Sequence, residues 1–412
     1  MKQIRRYIER WLGGMLMLVL LVACSKSSSE GGDEPVPEPE PTKPVLKLYI
    51  FAPDHPVVTR GESYEVDASG EENKIHTLHI WVFENHQAAG DAHPEYDGKL
   101  VGYVNMTNVA LSQSGSEVAI DIDDNFIANK PTVDVFVAAN VSASNCGITL
   151  GEKTARSDLE GMLINSGYFG LTSLVGAIPS DGLPMSGVLK NQPVNGESPV
   201  LRVGETGLAN VKLVRAVSKV RFVFCKSAAN TESNLLTIDE IKLGYEQTGE
   251  TPINIKLPKQ EYLFLNGAYP DEKSNVKTDG EIPYEDVTLI KSSINGDTIR
   301  KSASPSFYTY TTSMTGQQYE KLINDSIKAG YLSDVGSYYL RESNNGLAGT
   351  IKYKIGSTEK TKVFATKDAD EFTRNHMWIV YGYFVTSGEL ELNAVEVINW
   401  NNEDSSGEIY NW

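Results

Sequence analysis

Alternating apolar and polar residues, separated by glycine-rich and polar turns, fill most of the chain after residue 60. A period of two is typical of β-strands with one buried face. In the first half we predict strands at residues 75–83, 99–106, 118–122, 133–141, 199–203 and 209–214. In the second half we predict strands at residues 215–224, 236–243, 262–265, 287–290, 338–341, 350–355, 360–365, 376–385 and 389–400. Many short strands turned by 35 glycines and 18 prolines favour two β-sandwiches in tandem.

Two stretches follow a helical period instead. Residues 154–165 place Leu159, Met162 and Leu163 on one face, and residues 316–329 form a second amphipathic segment. Residues 166–195 are rich in loop-forming residues, and we predict little regular structure there.

An isolated apolar strand precedes all of this. Val45–Phe51 reads VLKLYIF and is bounded by Pro44 and Pro53, which favours a strand with defined ends. Its large apolar side chains that could enter a core are Val45, Leu46, Leu48 and Ile50, and the last three of these alternate along the strand. Arg60 follows, and it is the only arginine between Arg10 and Arg156.

The first 24 residues indicate export. Four basic residues, Lys2, Arg5, Arg6 and Arg10, precede an apolar run that is shorter than the roughly 20 residues needed to span a bilayer. The run ends in Leu-Val-Ala-Cys24, the pattern of a bacterial lipobox, in which the cysteine thiol receives the lipid. An ordinary signal peptide that ends before Cys24 is the alternative. Residues 24–44, rich in Ser, Glu and Pro, then predict a solvated tether.

The net charge and the motifs exclude several function classes. With 37 Lys and Arg against 54 Asp and Glu, the net charge is −17, which disfavours binding to nucleic acid. No catalytic signature or phosphate-binding glycine loop is present, so we predict no enzyme and no cofactor. Residues 121–125 begin like a calcium loop but have Phe126 where the loop needs glycine.

The spacing of the histidines and cysteines does not predict a metal site. His76, His79, His86 and His93 lie close in sequence, but an odd offset puts His76 and His79 on opposite strand faces, so we predict surface histidines. Cys146 and Cys225 favour small buried apolar residues, with a disulfide as the alternative.

Several short motifs, in order along the chain, resemble the fimbrillins, the type V pilin subunits of anaerobic bacteria. The matching features are the lipobox at Cys24, the strand Val45–Phe51 followed by Thr59-Arg60-Gly61, and residues 75–83, 135–140, 183–187, 213–220 and 374–376, with Trp400 and Trp412 near the end. Each motif is degenerate, and their common order carries the resemblance.

The resemblance implies a fold and a mechanism. Fimbrillins are mainly β, with two tandem transthyretin-like β-sandwich domains and short helices. An arginine-specific surface protease removes the segment before the mature domain, and a strand of another subunit fills the groove left behind. Here the resemblance implies lipid attachment at Cys24 in the outer membrane, cleavage between Arg60 and Gly61, and then release into an extracellular fimbrium built with other fimbrillin subunits. It also implies that Val45–Phe51 fills the groove before cleavage, with Val45, Leu46, Leu48 and Ile50 as its strand-exchange residues.

The predicted organisation follows from this reading: a signal peptide at 1–23, the tether at 24–44, a removable strand at 45–60, and domains at 61–212 and 213–412. The resemblance implies that the C-terminal segment donates a strand, with Leu390, Leu392, Ile398 and Trp400 on one face. The alternative is that this strand completes a sheet of its own chain. Only residues 386–388 separate that segment from the preceding strand, so a tip or accessory subunit stays open as an alternative to a stalk subunit.

A different class of function is also open. Trp81, Tyr96, Tyr103, Phe169 and Trp378 could stack on sugar rings if exposed, as in a monomeric surface lipoprotein that binds glycans, or could be core residues.

Overall fold

The computed structural model describes residues 44–51, 72–88, 90–111, 115–122, 126, 132–162, 178–197, 199–204, 209–229, 236–243, 256–258, 281–283, 287–290, 294–302, 316–340, 348–365, 377–397 and 409–411. The predicted lipidation site at Cys24, the predicted cleavage site at Arg60 and Gly61, and the residues Ile398 and Trp400 lie outside these ranges. The strand predicted at 262–265 and the aromatic residue Phe169 also lie outside them.

In the described part of the chain between Val45 and Arg215, ten strands form two sheets. The strands are β1 Val45–Phe51, β2 Ile75–Asn85, β3 Leu100–Val109, β4 Ser116–Asp121, β5 Thr132–Ala139, β6 Met185–Gln192, β7 Val194–Glu197, β8 Val200–Val203, β9 Asn210–Lys212 and β10 Val214–Arg215. The first sheet has the order β4-β1-β8-β7, and β9 lies beside β1. The second sheet has the order β10-β6-β5-β2-β3.

The two sheets pack into a sandwich because each presents alternate apolar residues to the other. Leu46, Leu48 and Ile50 of the first sheet share one buried cluster with Ile80 and Val135 of the second. The prediction of a mainly β fold built from sandwiches is confirmed here.

The outer face of the second sheet is also covered, by the chain between β5 and β6. Two short helices lie there, α1 Ala143–Cys146 and α2 Arg156–Glu160. The Trp81 indole donates a hydrogen bond to the Gly151 carbonyl at 2.9 Å, which ties this excursion to β2. The carboxylate of Asp158 accepts from the Ala155 amide at 3.2 Å and so satisfies a free donor at the start of α2.

The other described strands form a third sheet, a fourth sheet and one separate pair. They are β11 Ser218–Ser227, β12 Leu236–Leu243, β13 Lys256–Pro258, β14 Glu281–Pro283, β15 Val287–Ile290, β16 Ile294–Asn295, β17 Lys301–Ser302, β18 Ser333–Leu340, β19 Ala348–Ile355, β20 Thr358–Ala365, β21 Met377–Phe384, β22 Leu390–Val397 and β23 Ile409–Asn411. The third sheet runs β17-β11-β21-β22-β23 with β18 beside β11, and the fourth runs β15-β12-β19-β20 with β16 beside β12. Strands β13 and β14 pair with each other.

A second core lies between the third and fourth sheets. Phe222 and Trp378 of the third sheet share a buried cluster with Ile238, Ile351 and Phe364 of the fourth. The other face of β11 packs against the helix α3, Gly316–Lys328, where the Arg221 guanidinium donates to Asn324 at 2.8 Å. The central strands of the third sheet, β11 and β21, are therefore buried on both faces.

Some sequence-based predictions of local structure were wrong. The helical segment predicted at 154–165 is helical only at Arg156–Glu160 among the residues described there, because the helix ends at Gly161. Residues 185–192 form β6 although we predicted a loop-rich stretch, because Met-Ser-Gly-Val-Leu-Lys-Asn-Gln has a weak alternation and is held by pairing to the buried strand β5. The long strand predicted from residue 215 begins at Ser218, because Arg215 belongs to β10 and pairs with Met185.

Candidate functional site

The first strand is an interior strand of its sheet, and its neighbours come from distant parts of the chain. On one side β1 pairs antiparallel with β4, from Val45 opposite Asp121 to Ile50 opposite Ser116. On the other side it pairs in parallel with two strands in succession, β8 beside residues 45–47 and β9 beside residues 49–51. Almost the whole length of β1 is therefore paired on both edges.

The first sheet depends on β1 for its continuity. Among the described residues, β4 and β9 form ladder pairs with β1 alone, and β7 joins the sheet only through β8. Without β1 the sheet would fall into three pieces, namely β4, the β7 and β8 hairpin, and β9. To restore the sheet, a replacement for β1 would have to be a strand that pairs with β4 on one edge and with β8 and β9 on the other.

The inward face of β1 supplies part of the first core. Leu46, Leu48 and Ile50 are each at most 1% exposed, while the residues between them are partly exposed. Burial of each such side chain contributes roughly 1.5–3 kcal/mol. Removal of the strand would therefore leave an apolar slot with three adjacent side-chain positions.

The outward face of β1 carries a polar cluster centred on Glu117 of β4. One carboxylate oxygen accepts from the Lys47 ammonium at 2.5 Å, and the other accepts from Arg202 of β8 and from the Tyr49 hydroxyl, each at 3.1 Å. The hydrogen bonds from Lys47 and then Arg202 lower the pKa of Glu117 to about 2. Glu117 thus joins three neighbouring strands as a carboxylate.

Backbone hydrogen bonds fix both ends of β1. The Val45 amide donates to the Pro199 carbonyl at 2.8 Å, and the Phe51 carbonyl accepts from the Leu213 amide at 3.2 Å. Beside Phe51, Gly115 has a φ of +85° and lies so close that a Cβ atom there would be 2.6 Å from the Phe51 ring. Glycine at this position admits the aromatic ring.

The C-terminal strand lies in a different sheet from β1. Strand β22 pairs with β21 along all eight residues, and β23 covers part of its other edge. Leu390 and Leu392 are 3% and 4% exposed in the second core. The turn before β22 is tight, with the Val385 amide donating to Glu389 at 2.9 Å and Gly388 at a φ of +85°. The described strand-exchange residues of the two predicted sets, on β1 and on β22, therefore lie in different sheets of the chain.

The histidines differ from the prediction of surface residues. His79 is 7% exposed, stacks on Trp81 and lies 2.8 Å from the Tyr103 hydroxyl, and burial lowers its pKa. His86 is 6% exposed, with its Nε2 atom 3.0 Å from Glu84 and its Nδ1 atom 2.9 Å from Asp91. The prediction was wrong for these two residues because their polar atoms find partners inside the fold.

The cysteines and the acidic residues form no reactive centre in the described ranges. Cys146 and Cys225 are both buried and free, and burial raises the pKa of Cys225 to about 12. Within those ranges no group of three or more His, Cys, Asp or Glu side chains is arranged to hold a metal ion. Among the helices described, none combines the length and the apolar character needed to cross a membrane.

The aromatic residues considered for glycan stacking are mostly in the core. Trp81 and Trp378 have no exposed surface, so neither can stack on a ligand in this conformation. Tyr96 and Tyr103 are partly exposed, and Tyr103 contacts His79 and Trp81. Among the described members of this set, only Tyr96 and Tyr103, which lie on different elements, have surface to offer a glycan.

The polar partners of β1 were not anticipated from the sequence. Glu117, Arg202 and Gly115 are separated from the residues of β1 by 64 to 157 positions along the chain. Local sequence patterns do not specify pairings over such separations. The one usable signal was the outward phase of Lys47 and Tyr49, which predicts exposed polar partners of unknown position.

Solved structures that resemble this fold include fimbrial and cell adhesion proteins. A candidate cell adhesion protein from Parabacteroides distasonis is 13% identical with a TM-score of 0.44, and the match covers 87% of this chain and 97% of that one. The tip fimbrial protein Mfa3 from Porphyromonas gingivalis, with a C-terminal truncation, is 12% identical with a TM-score of 0.41, and 90% and 100% are covered. A fimbrial assembly protein from Parabacteroides distasonis is 14% identical with a TM-score of 0.38, and 90% and 98% are covered. No family model and no curated protein matches the sequence.

Proposed function

We propose that this chain is a structural and adhesive subunit of a fimbria and that it assembles with other subunits by exchange of its first strand. The observation that carries the proposal is the position of β1. It is an interior strand that holds the first sheet together, and it precedes the arginine at which the sequence resemblance implies cleavage. Strand addition to an open sheet edge is an established mode of protein recognition.

Export and maturation form the first part of the proposal. The chain is lipidated at Cys24, held at the outer membrane by that lipid, and cleaved between Arg60 and Gly61 by an arginine-specific surface protease. Cleavage separates β1 from the rest of the chain, so that β1 is then held by non-covalent contacts alone. The mature subunit afterwards resides in an extracellular fimbrium.

The second part concerns the strand that refills the slot. A donor strand must pair antiparallel with β4 and in parallel with β8 and β9, as β1 does. We propose the C-terminal segment of a fimbrial subunit for this role, with Leu390, Leu392, Ile398 and Trp400 as the apolar residues in the segment of this chain.

One observation favours a second role for this particular subunit. Leu390 and Leu392 are buried in the chain's own second core, and β22 is joined to β21 by a tight turn. Donation of β22 would open that core. A tip or accessory subunit, which accepts a strand but keeps its own C-terminal strand in place, fits this packing better than a stalk subunit does.

Substitution of Arg60 tests the proposal. We expect the protein recovered from cell surfaces to begin at Gly61 and to form ladders on a gel that heat disrupts, and Arg60→Ala to abolish both. Arg60→Lys is the matched variant that keeps the positive charge but removes the arginine that the protease needs. We expect it to abolish cleavage and ladders as Arg60→Ala does. Ladders that persist in both variants would contradict assembly through cleavage at this position.

A further inference from the structure

The residues around β1 specify more than a generic apolar strand. The slot has three inward positions filled by Leu46, Leu48 and Ile50, and an outward position where Lys47 contacts Glu117. A fifth position, at Phe51, lies against Gly115. An incoming strand is therefore selected by size on one face and by charge on the other.

We infer that the slot of β1 is built for a strand from a different subunit, with a basic residue at the position of Lys47 and a large aliphatic residue at that of Ile50, and not for the C-terminal strand of a second copy of this chain. The inference rests on the proposed strand exchange. It predicts that the contact at this slot joins two different subunits and not two copies of this chain.

The size argument compares β22 with β1 in the same direction. When Leu390 and Leu392 are aligned with Leu46 and Leu48, the sequence has Ala394 where β1 has Ile50. Ile50 has no exposed surface, so alanine at this position would leave a cavity in the first core. An alignment shifted by two residues brings Glu396 to the position of Ile50, which would bury a carboxylate.

The charge argument uses the same alignment. Glu391 falls at the position of Lys47 and would face Glu117 in place of the ammonium that now lies 2.5 Å from it. Arg202 also contacts Glu117. Its guanidinium would then be the cation left beside the two carboxylates of Glu117 and Glu391. Like charges at neighbouring cross-strand positions are unfavourable, so the acidic strand is disfavoured.

The two differences act on separate faces and can be tested separately. The full chain is given an inserted site for a specific protease beside Arg60, so that nicking does not depend on native processing. After nicking, labelled peptides compete with the retained β1 segment, and fluorescence anisotropy measures their apparent affinities. The peptides are the Val45–Phe51 sequence, its Lys47→Glu and Ile50→Ala versions, and the Leu390–Trp400 sequence.

We expect the Val45–Phe51 peptide to exchange into the slot and the Leu390–Trp400 peptide to bind more weakly than both altered versions. Ile50→Ala should weaken binding by about thirtyfold or more. Lys47→Glu should weaken it by about fivefold, and high salt should reduce that difference. In the Glu117→Lys protein the preference between lysine and glutamate peptides should reverse, and in Glu117→Gln it should largely disappear.

Three results would count against the inference. If the Leu390–Trp400 peptide binds within about twofold of the Val45–Phe51 peptide, the slot accepts a second copy and the inference is wrong, while strand exchange stands. If the Glu117 variants leave the peptide order unchanged, charge selection is wrong. If no peptide exchanges, including the Val45–Phe51 peptide, the proposed function and the inference both fail.

Discussion

The carboxylate of Glu72 accepts a hydrogen bond from the Lys219 ammonium at 2.6 Å, although these residues lie 147 positions apart. Glu72 is 2% exposed and Lys219 is 5% exposed, and the Tyr339 hydroxyl donates to the same carboxylate oxygen. Burial, together with the adjacent Glu72 carboxylate, raises the pKa of Tyr339. The turn before β2 is thereby tied to β11 and β18 of the third sheet.

Removal of one member of this buried pair should destabilise the protein strongly. We expect Glu72→Ala to lower the free energy of unfolding by about 3–5 kcal/mol, because it leaves the Lys219 charge buried without this carboxylate. Denaturant unfolding of the purified protein would measure the change. The double variant Glu72→Gln with Lys219→Met is the control and should be more stable than Glu72→Ala, whereas equal losses would argue against a charge effect.

Short sequence patterns predicted the strands well where alternation was strong and the ends were marked. Val45–Phe51 has the predicted bounds, because its apolar residues alternate and proline marks its start. Strand β12 likewise has the predicted bounds, Leu236–Leu243. Strand β6 was missed, because the pairing with β5 that holds it is not encoded in its own residues.

The candidate site was predictable only in part. Leu46, Leu48 and Ile50 were identified because their inward phase is a local property of the strand. Glu117 and Arg202 were not, because they reach β1 through antiparallel and parallel pairings whose register depends on the whole sandwich. The burial of His86 was missed for a related reason, since it depends on Glu84 and Asp91 being placed around the ring.

Gly115 is expected to be intolerant of a side chain. Gly115→Ala places a Cβ atom 2.6 Å from the Phe51 ring and does so at a φ of +85°, so the ring must shift and the backbone is strained. We expect a loss of stability greater than the roughly 1 kcal/mol that a positive φ alone costs alanine. Thermal or denaturant unfolding would measure it.

Gly147→Ala is the matched control, because Gly147 has a φ of +73° but no heavy atom within 4 Å of an added Cβ. The difference between the two variants therefore reports the contact with Phe51. Equal losses would indicate that the ring moves aside at little cost.

His86 should make stability depend on pH. Both ring nitrogens contact carboxylate oxygens, of Glu84 and Asp91, and carboxylates only accept, so the ring is held as an imidazolium. Burial lowers the pKa of His86, but its hydrogen bonds and charge interactions with these two carboxylates outweigh burial and raise it. His93 and Tyr96 complete the surroundings of the ring, and Asp97 accepts from the His86 amide.

Because the pKa is raised on folding, this stabilisation is fully present below the unfolded value of about 6.5 and is lost as pH rises through the folded pKa. We expect His86→Asn to remove that pH dependence of unfolding and to cost about 1.5–3 kcal/mol at about pH 5 to 6. His93→Gln is the control, because the His93 side chain is 43% exposed. An NMR titration in which the pKa of His86 lies below 6.5 would contradict the prediction.

The inward and outward faces of β1 should respond differently to truncation. Leu48 is 1% exposed in the first core, so Leu48→Ala should lower the free energy of unfolding by about 2–5 kcal/mol through lost burial and the cavity left behind. Lys47→Ala is the neighbouring control, and it should cost far less because its ammonium contacts Glu117 on the solvent-facing side. Since β1 holds β4 to β8 and β9, the Leu48→Ala variant should also show faster amide hydrogen exchange in β4 and β9 than Lys47→Ala does. Unchanged exchange in β4 would mean that this strand stays in place without a well-packed β1.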